Sequence, residues 1–179
     1  MQEGATLTLK SLPTSVKKIV IKDQGRGANW ARNEGFKQVK TEFVLFSDND
    51  INWRKNALQT LLDTLEDNPE ASYSYGSYEM GGRVYCDMEF DEEILQLQNY
   101  ISTMSLIRSK DFEECGGFDE SIKRFQDWDL WLNLLLNHDK EGVWCEEIIF
   151  DTPVRDGITN NGELSCLDAF EIINNKHCL

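Results

Sequence analysis

Three carboxylates in this chain have the spacing to do chemistry together. An apolar run, Phe43-Val44-Leu45-Phe46, empties into Ser47-Asp48-Asn49-Asp50. Further on, Gly116-Gly117-Phe118-Asp119-Glu120 precedes Gln126-Asp127-Trp128-Asp129-Leu130-Trp131-Leu132. Side chains two apart on an extended segment point the same way, so Asp48 and Asp50 can converge on one hard divalent cation. Such a cation would neutralise a diphosphate and stabilise it as a leaving group. Asp127 opens a helix, whose N-terminal end favours the ionised carboxylate that a general base needs. Together the two motifs imply metal-assisted transfer of a group away from a diphosphate.

The elements that must position these residues follow from hydrophobic periodicity and turn chemistry. Residues 42–47 read as a buried strand, and 18–22 as a shorter one before it. Residues 71–75, 83–88, 103–108 and 143–150 read as further strands, with a hairpin around Gly81-Gly82. Amphipathic helices are expected over 28–39 and 54–67. Leu58, Leu61, Leu62 and Leu65 share one face of the second, which Asn52 is expected to cap. Further helices are expected over 91–100, 127–137 and 164–174, and a short one capped by Ser109 stops at Gly116-Gly117. Residues 6–12 fit either a strand or the tail of a helix. The alternation describes a single α/β domain over residues 1–179, a sheet covered by helices. In such sheets ligands sit beyond the carboxyl ends of strands, where Asp48 and Asp50 fall.

Composition narrows the chemistry. The chain has 179 residues, 40% of them apolar and 28% charged, which places it among globular proteins. Its net charge of -14 argues against a nucleic-acid coat, since phosphate contacts need Lys and Arg. The five cysteines lack zinc-ligand spacing and fit a reducing compartment. No apolar run is long enough to span a bilayer and no signal peptide opens the chain, so a soluble, cytoplasmic protein is expected.

Bland readings stand beside the chemical ones. Asp-Asn-Asp would also make a polar turn before a helix. Asp48, Asp50 and Asn52 match the start of a calcium loop, which fails at Trp53 and Gln59, where Gly and Glu are needed. Asp127 and Asp129 could be ordinary first-turn acids. Trp128 offers a flat face for a sugar ring, whereas Trp131 and Leu135 read as core. Gly25-Arg26-Gly27 lacks the longer phosphate-loop fingerprints. Arg26 and Arg32 could each pair with a phosphate or carboxylate, and Arg155 could close over a diphosphate. His138 and His177 receive no role.

Taken in order, Gly-x-Gly, then Ala31-Arg32-Asn33-x-Gly35, then Asp48-Asn49-Asp50, then Gly116-Gly117-Phe118-Asp119-Glu120, then Gln126-Asp127-Trp128-Asp129-Leu130-Trp131-Leu132, the chain resembles family 2 inverting glycosyltransferases of the GT-A fold. The likeness runs from about Lys18 to about Asn160. It implies a three-layer sandwich with a mixed sheet, as in nucleotide-diphospho-sugar transferases. It implies that Asp50 is the main ligand of Mn²⁺ or Mg²⁺ and that Asp48 contacts the ribose or the metal shell. Asp127 would deprotonate an acceptor hydroxyl, glycan or other. Trp128 and Gly117, with Gly116, would shape the sugar and acceptor pocket, and Arg26 and Arg155 would face the diphosphate of the nucleotide-sugar donor. Cell-surface polysaccharide assembly is the family's usual setting.

Three departures accompany the likeness. The family's opening strands are not matched before Lys18, so the fold is expected to be N-terminally truncated, with an exposed sheet edge for residues 5–12 or a second copy in a homodimer to cover. Gln126 stands where Glu is common. Gly157 stands where a His is frequent. A non-catalytic GT-A-like domain binding sugar, nucleotide or a partner therefore stays open, as does a nucleotidyltransferase on a similar sheet.

Overall fold

The computed structural model describes residues 8–154 and 164–179. Its described strands form one mixed sheet: β1 (Phe43–Leu45), β2 (Asn52–Trp53), β3 (Tyr73–Met80), β4 (Arg83–Tyr85), β5 (Leu106–Arg108) and β6 (Gly142–Thr152). The order is β1-β5-β3-β6-β2, with β4 paired to β3. β3 and β6 run parallel, and the other pairs are antiparallel. The helices are α1 (Ala28–Phe36), α2 (Ala57–Asp67), α3 (Glu92–Leu97), α4 (Ser109–Glu114), α5 (Gln126–His138) and α6 (Cys166–His177). A mixed sheet between helical layers is the GT-A-like architecture that the motifs imply.

The two-residue period of the strands divides the core between the faces of the sheet. Tyr73, Tyr75 and Ile107 join Trp128, Trp131 and Leu134 of α5 on one face. Leu106, Ile149 and Phe150 meet Ala57, Leu61 and Leu65 of α2 on the other. The ring of Trp131 stacks on Tyr73 at 4.3 Å, and its indole N–H donates to Ile101 O at 3.0 Å. Removing such a buried ring would cost about 3–5 kcal/mol. Between Tyr73 and Tyr75, Ser74 faces the second layer, where its hydroxyl donates to Leu61 O at 2.7 Å. This bond satisfies a polar group that lies fully buried in the sheet.

Several expected elements differ. Residues 18–22 form no strand; this segment runs over α1, where Ile21 would be the nearest neighbour of a side chain at Gly35. Tertiary packing there overrides the β-branched run. The outer edge of β1 therefore carries no paired strand among the described residues. Asn52 is not the cap of α2: it sits in β2, and Asn56, in the left-handed region at φ 67°, precedes the helix. Ser109 is the first residue of α4 rather than its cap. Residues 8–11 are helical, and the hairpin turns at Gly81-Gly82 as expected.

Candidate active site

The acidic loop after β1 is held from three directions. Thr8, buried in the first helical turn, donates its hydroxyl to Ile51 O at 2.7 Å and accepts from Ile51 N at 3.1 Å. Ser11 Oγ accepts from Trp53 N at 3.1 Å. The Trp53 indole N–H donates to Ser47 Oγ at 3.0 Å. Asp48 and Asp50 thus stand on a backbone pinned before and after them, and both line one large cleft.

Asp127 lines the same cleft from the start of α5. The turn into that helix places Phe125 at φ 59°, a left-handed conformation that is costly for a bulky residue. Asp127 Oδ1 accepts from Trp128 N at 2.9 Å and from Asn99 Nδ2 at 2.9 Å. Both bonds arrive at Oδ1, which leaves Oδ2 to take a proton. Burial pushes the Asp127 carboxyl above its ordinary range, opposed by the Trp128 amide, the charge of Arg32 and the Asn99 amide. A raised carboxyl pKa is a property of working bases.

Arg32 of α1 joins the two acidic sites. Its Nη2 donates to Asp48 Oδ1 at 2.9 Å and its Nη1 to Gln126 Oε1 at 3.3 Å, beside Asp127. Its guanidinium lies 5.1 Å from the centre of the Phe118 ring. Asn33, the next residue of the motif, grips the backbone of Phe118. Its Nδ2 donates to Phe118 O at 2.8 Å, and its Oδ1 accepts from Phe118 N at 3.0 Å. At Gly117, with φ +75°, a Cβ would lie 2.9 Å from Asn33 Oδ1. Only glycine allows that grip. The Ala31-Arg32-Asn33 and Gly-Gly-Phe-Asp-Glu motifs are therefore two halves of one brace, which sets Arg32 between Asp48 and α5.

Other expected residues lie elsewhere. Trp128 is 1% exposed, packed between Phe125 and Phe170, with its indole N–H on Leu95 O at 2.6 Å; it fills the core and offers no open face for a sugar. Gly117 lies outside the cleft lining, and so does Arg26, which pairs with Glu120 at 3.6 Å and lies over Trp30. The amides of Arg26 and Gly27 are bound to Asp23 Oδ1, so the Gly-Arg-Gly loop is closed on itself rather than open as a phosphate cradle. Arg155 lies outside the described residues. Asn99 and Thr8 gave no sequence signal, because each acts through a contact made far along the chain.

Among the described residues no group of three or more His, Cys, Asp or Glu could form a metal cage. Asp48 and Asp50 offer hard oxygen donors, and Asp48 spends one oxygen on Arg32. This matches a Mg²⁺- or Mn²⁺-type site in which one or two carboxylates share the cation with water and substrate phosphates. The cleft measures ≈ 2730 Å³, well above the usual size of a small-ligand pocket, and runs from Asp127 past the open edge of β1 to residues 8–23. No helix of the described residues is long and apolar enough to cross a membrane.

Comparison with known proteins bears on the fold and the family. Among solved structures, S. aureus TarS residues 1–349 in complex with UDP-GlcNAc superimposes with a TM-score of 0.65 at 17% identity, over 84% of this chain and 46% of that one. The mannosyltransferase PcManGT of Pyrobaculum calidifontis, in complex with GDP-Man and Mn²⁺, gives a TM-score of 0.55 at 15% identity, over 86% and 41%. At such identities the likeness is one of fold. An uncharacterised glycosyltransferase of Rickettsia typhi is 27% identical over 82% of this chain and 50% of its own length. One from Haemophilus influenzae is 27% identical over 65% and 44%. The chain spans about half the length of these curated relatives. The family model for glycosyl transferase family 2 matches residues 10–118, a stretch that holds Arg32, Asn33, Asp48, Asp50 and Gly117, so the chain belongs to that family.

Proposed function

We propose that this chain transfers a glycosyl group from a nucleotide-sugar donor to an acceptor hydroxyl, with inversion. One observation carries the reading: Asp48, Asp50 and Asp127 line one cleft, with Arg32 reaching from the first of them to the residue beside the last. Asp127 Oδ2 takes the proton of the acceptor hydroxyl as its oxygen attacks the anomeric carbon. The bond from that carbon to the phosphate oxygen breaks on the opposite face, and the nucleoside diphosphate leaves with the bonding pair. Asp48 and Asp50 would hold Mn²⁺ or Mg²⁺, which supplies positive charge to the departing diphosphate. The Arg32 fork, already on a carboxylate, has the geometry to share a phosphate oxygen. The family membership and the nucleotide-sugars bound by TarS and PcManGT support this reading.

A non-catalytic sugar- or nucleotide-binding domain is the second reading. The Arg32–Asp48 pair favours it, because it already engages one of the two proposed metal ligands.

A thermal-shift series with nucleoside diphosphates and their sugars, with and without Mn²⁺, tests the donor site. At a hundred times its dissociation constant a ligand adds about 2.7 kcal/mol. For a chain of this size that is a rise of roughly 5–10 °C. The rise should require Mn²⁺ and vanish in Asp50→Ala. A folded native chain with no shift from any nucleotide would sink the donor site.

A further inference from the structure

Arg32 and Arg54 both line the large cleft, one on either side of the acidic loop in the chain, and they are held differently. Arg54 is matched by two acids. Its Nη2 donates to Asp151 at 2.7 Å and to Glu79 at 2.9 Å, and its Nε donates to Asp151 at 3.2 Å. It ties the chain after β2 to β6 and β3. Arg32 is matched by one acid among the described residues. Its Nη2 donates to Asp48 Oδ1 at 2.9 Å. Its Nη1 reaches only neutral oxygens there, Gln126 Oε1 at 3.3 Å and Asn29 Oδ1 at 3.4 Å. The strong, charge-assisted bond therefore goes to a carboxylate that a cation could claim, and the weak ones go to groups that it could not.

We infer that Arg32 makes a divalent cation and a diphosphate bind as a pair. Its guanidinium competes with the cation for Asp48, and a diphosphate that takes the guanidinium releases Asp48 to the cation. The inference rests on the transferase reading for the identity of the two ligands. It rests on the contacts of Arg32 for their coupling.

Competition follows from charge. A guanidinium and a divalent cation on one carboxylate repel at close range, and the Arg32 side chain is only 13% exposed, so water screens the repulsion poorly. Two carboxylates, Asp48 and Asp50, make a modest cage that phosphate oxygens would complete. The planar Arg32 fork suits those same oxygens. Linkage then makes the effect reciprocal: what the diphosphate adds to the cation's affinity, the cation adds to the diphosphate's.

Gln126 fits Arg32 for this exchange. Off Asp48, the guanidinium keeps neutral neighbours in Gln126, Asn29 and the Phe118 ring, whose centre lies 5.1 Å away. A glutamate at position 126 would give Arg32 a second acid, as Asp151 and Glu79 do together for Arg54. The neutral amide steadies the arm and leaves its charge for the diphosphate.

Binding to the full chain tests this with three probes: Mn²⁺ alone, read by the EPR signal of the free ion, and preformed Mn²⁺–UDP and Mn²⁺–GDP, read by calorimetry. In Arg32→Met the bare ion should bind about tenfold more tightly and the nucleotide complexes about tenfold more weakly. Lys55→Met removes the same charge from an exposed position in the same cleft and should leave both affinities within about twofold. If Arg32→Met fails to fold, Gln126→Glu neutralises the guanidinium from α5 and must move the two affinities in the same opposed directions. Affinities that move together would overturn the inference, as would a bare-ion affinity that stays put or a Lys55→Met variant that behaves like Arg32→Met. The Mn²⁺–nucleotide thermal shift of the native chain separates the two proposals. A shift without the opposed changes removes only the coupling. A native chain that shows no shift and binds neither nucleotide complex removes the transferase reading and the coupling with it.

Discussion

Asp127 and Asp129 stand two residues apart at the start of one helix and meet opposite fates. Asp127 faces the cleft, bonded to the neutral N–H donors of Trp128 and Asn99, and burial raises its pKa. Asp129 faces the other way and is neutralised at close range. Its Oδ1 lies 2.7 Å from Lys176 Nζ and 2.9 Å from His177 Nε2, both on α6. The side chains of Asp129 and His177 are 3% and 2% exposed. Lys176 also reaches Asp119 of the Gly-Gly-Phe-Asp-Glu loop at 2.7 Å. A carboxylate in contact with a cation becomes a staple; one whose burial outweighs its donors gains affinity for a proton. The same helix thus carries a fastener and a base, and α6 closes the fastener against the loop that Asn33 braces from the other side.

The largest effect should come from removing the base. Asp127→Asn keeps an oxygen for the Trp128 and Asn99 donors but cannot take the proton, so sugar transfer should fall about 10²- to 10⁴-fold. Stability should move the opposite way. Because the folded pKa of Asp127 lies above its ordinary value of 3.8, its contribution is full below that value and lost as pH rises through the folded pKa. At pH 7 the native chain holds a desolvated charge that the variant lacks. Asp127→Asn should therefore melt higher than the native chain at pH 7, and the gain should shrink toward pH 4. Thermal unfolding at the two pH values checks the sign. A variant that melts lower at pH 7 would place Asp127 among the staples, and the contrast with Asp129 would fail.

The second effect is on stability. Lys176→Met leaves Asp129 with His177 alone and frees Asp119. Breaking a fully buried pair costs about 3–5 kcal/mol, and Lys176 is a third exposed, so a loss of about 2 kcal/mol is expected in chemical denaturation. Activity per folded molecule should change little. Burial raises the Asp119 pKa, but bonds from Lys176 and Ser121 outweigh it and bring the value down to about 2. The stability that Asp119 contributes is present above its ordinary 3.8 and lost as pH falls toward about 2. The cost of Lys176→Met should fade over that window. A cost constant from pH 7 to pH 2 would mean that the lysine acts through packing alone.

How much of this was legible in the sequence divides along the same line. The layered α/β architecture could be read from hydrophobic periodicity, because strand and helix periods are local properties of the chain. The acidic loop and the α5 acid could be read from motif order. The partners of Asp129 could not: Lys176 and His177 lie 47 and 48 residues away, and a histidine near the chain end carries no local mark of a buried ion pair. Trp128 misleads for a related reason. An aromatic residue beside a base suits sugar stacking in sequence, but the helical period turns it toward Phe170 and the core. Residues 18–22 show the limit of propensity, since a β-branched run forms a strand only where an edge accepts it.

The smallest effect distinguishes tuning the base from contacting the acceptor of the proposed transfer. Asn99 donates to Asp127 Oδ1 and also lines the large cleft. Its donation favours the ionised carboxylate, so Asn99→Ala should raise the Asp127 pKa further and move the acid limb of the kcat/KM profile to higher pH. Loss of one bond to a charged group corresponds to about a tenfold fall in rate on the acid limb of the profile. If Asn99 acts through Asp127, the fall should recover as pH rises and the base ionises again. If it acts chiefly on the acceptor through its unpartnered Oδ1, the acid limb will stay in place and the acceptor KM will rise instead. The first outcome adds Asn99 to the devices that set Asp127 apart from Asp129. The second makes it an acceptor contact and leaves burial and the Trp128 amide to tune the base.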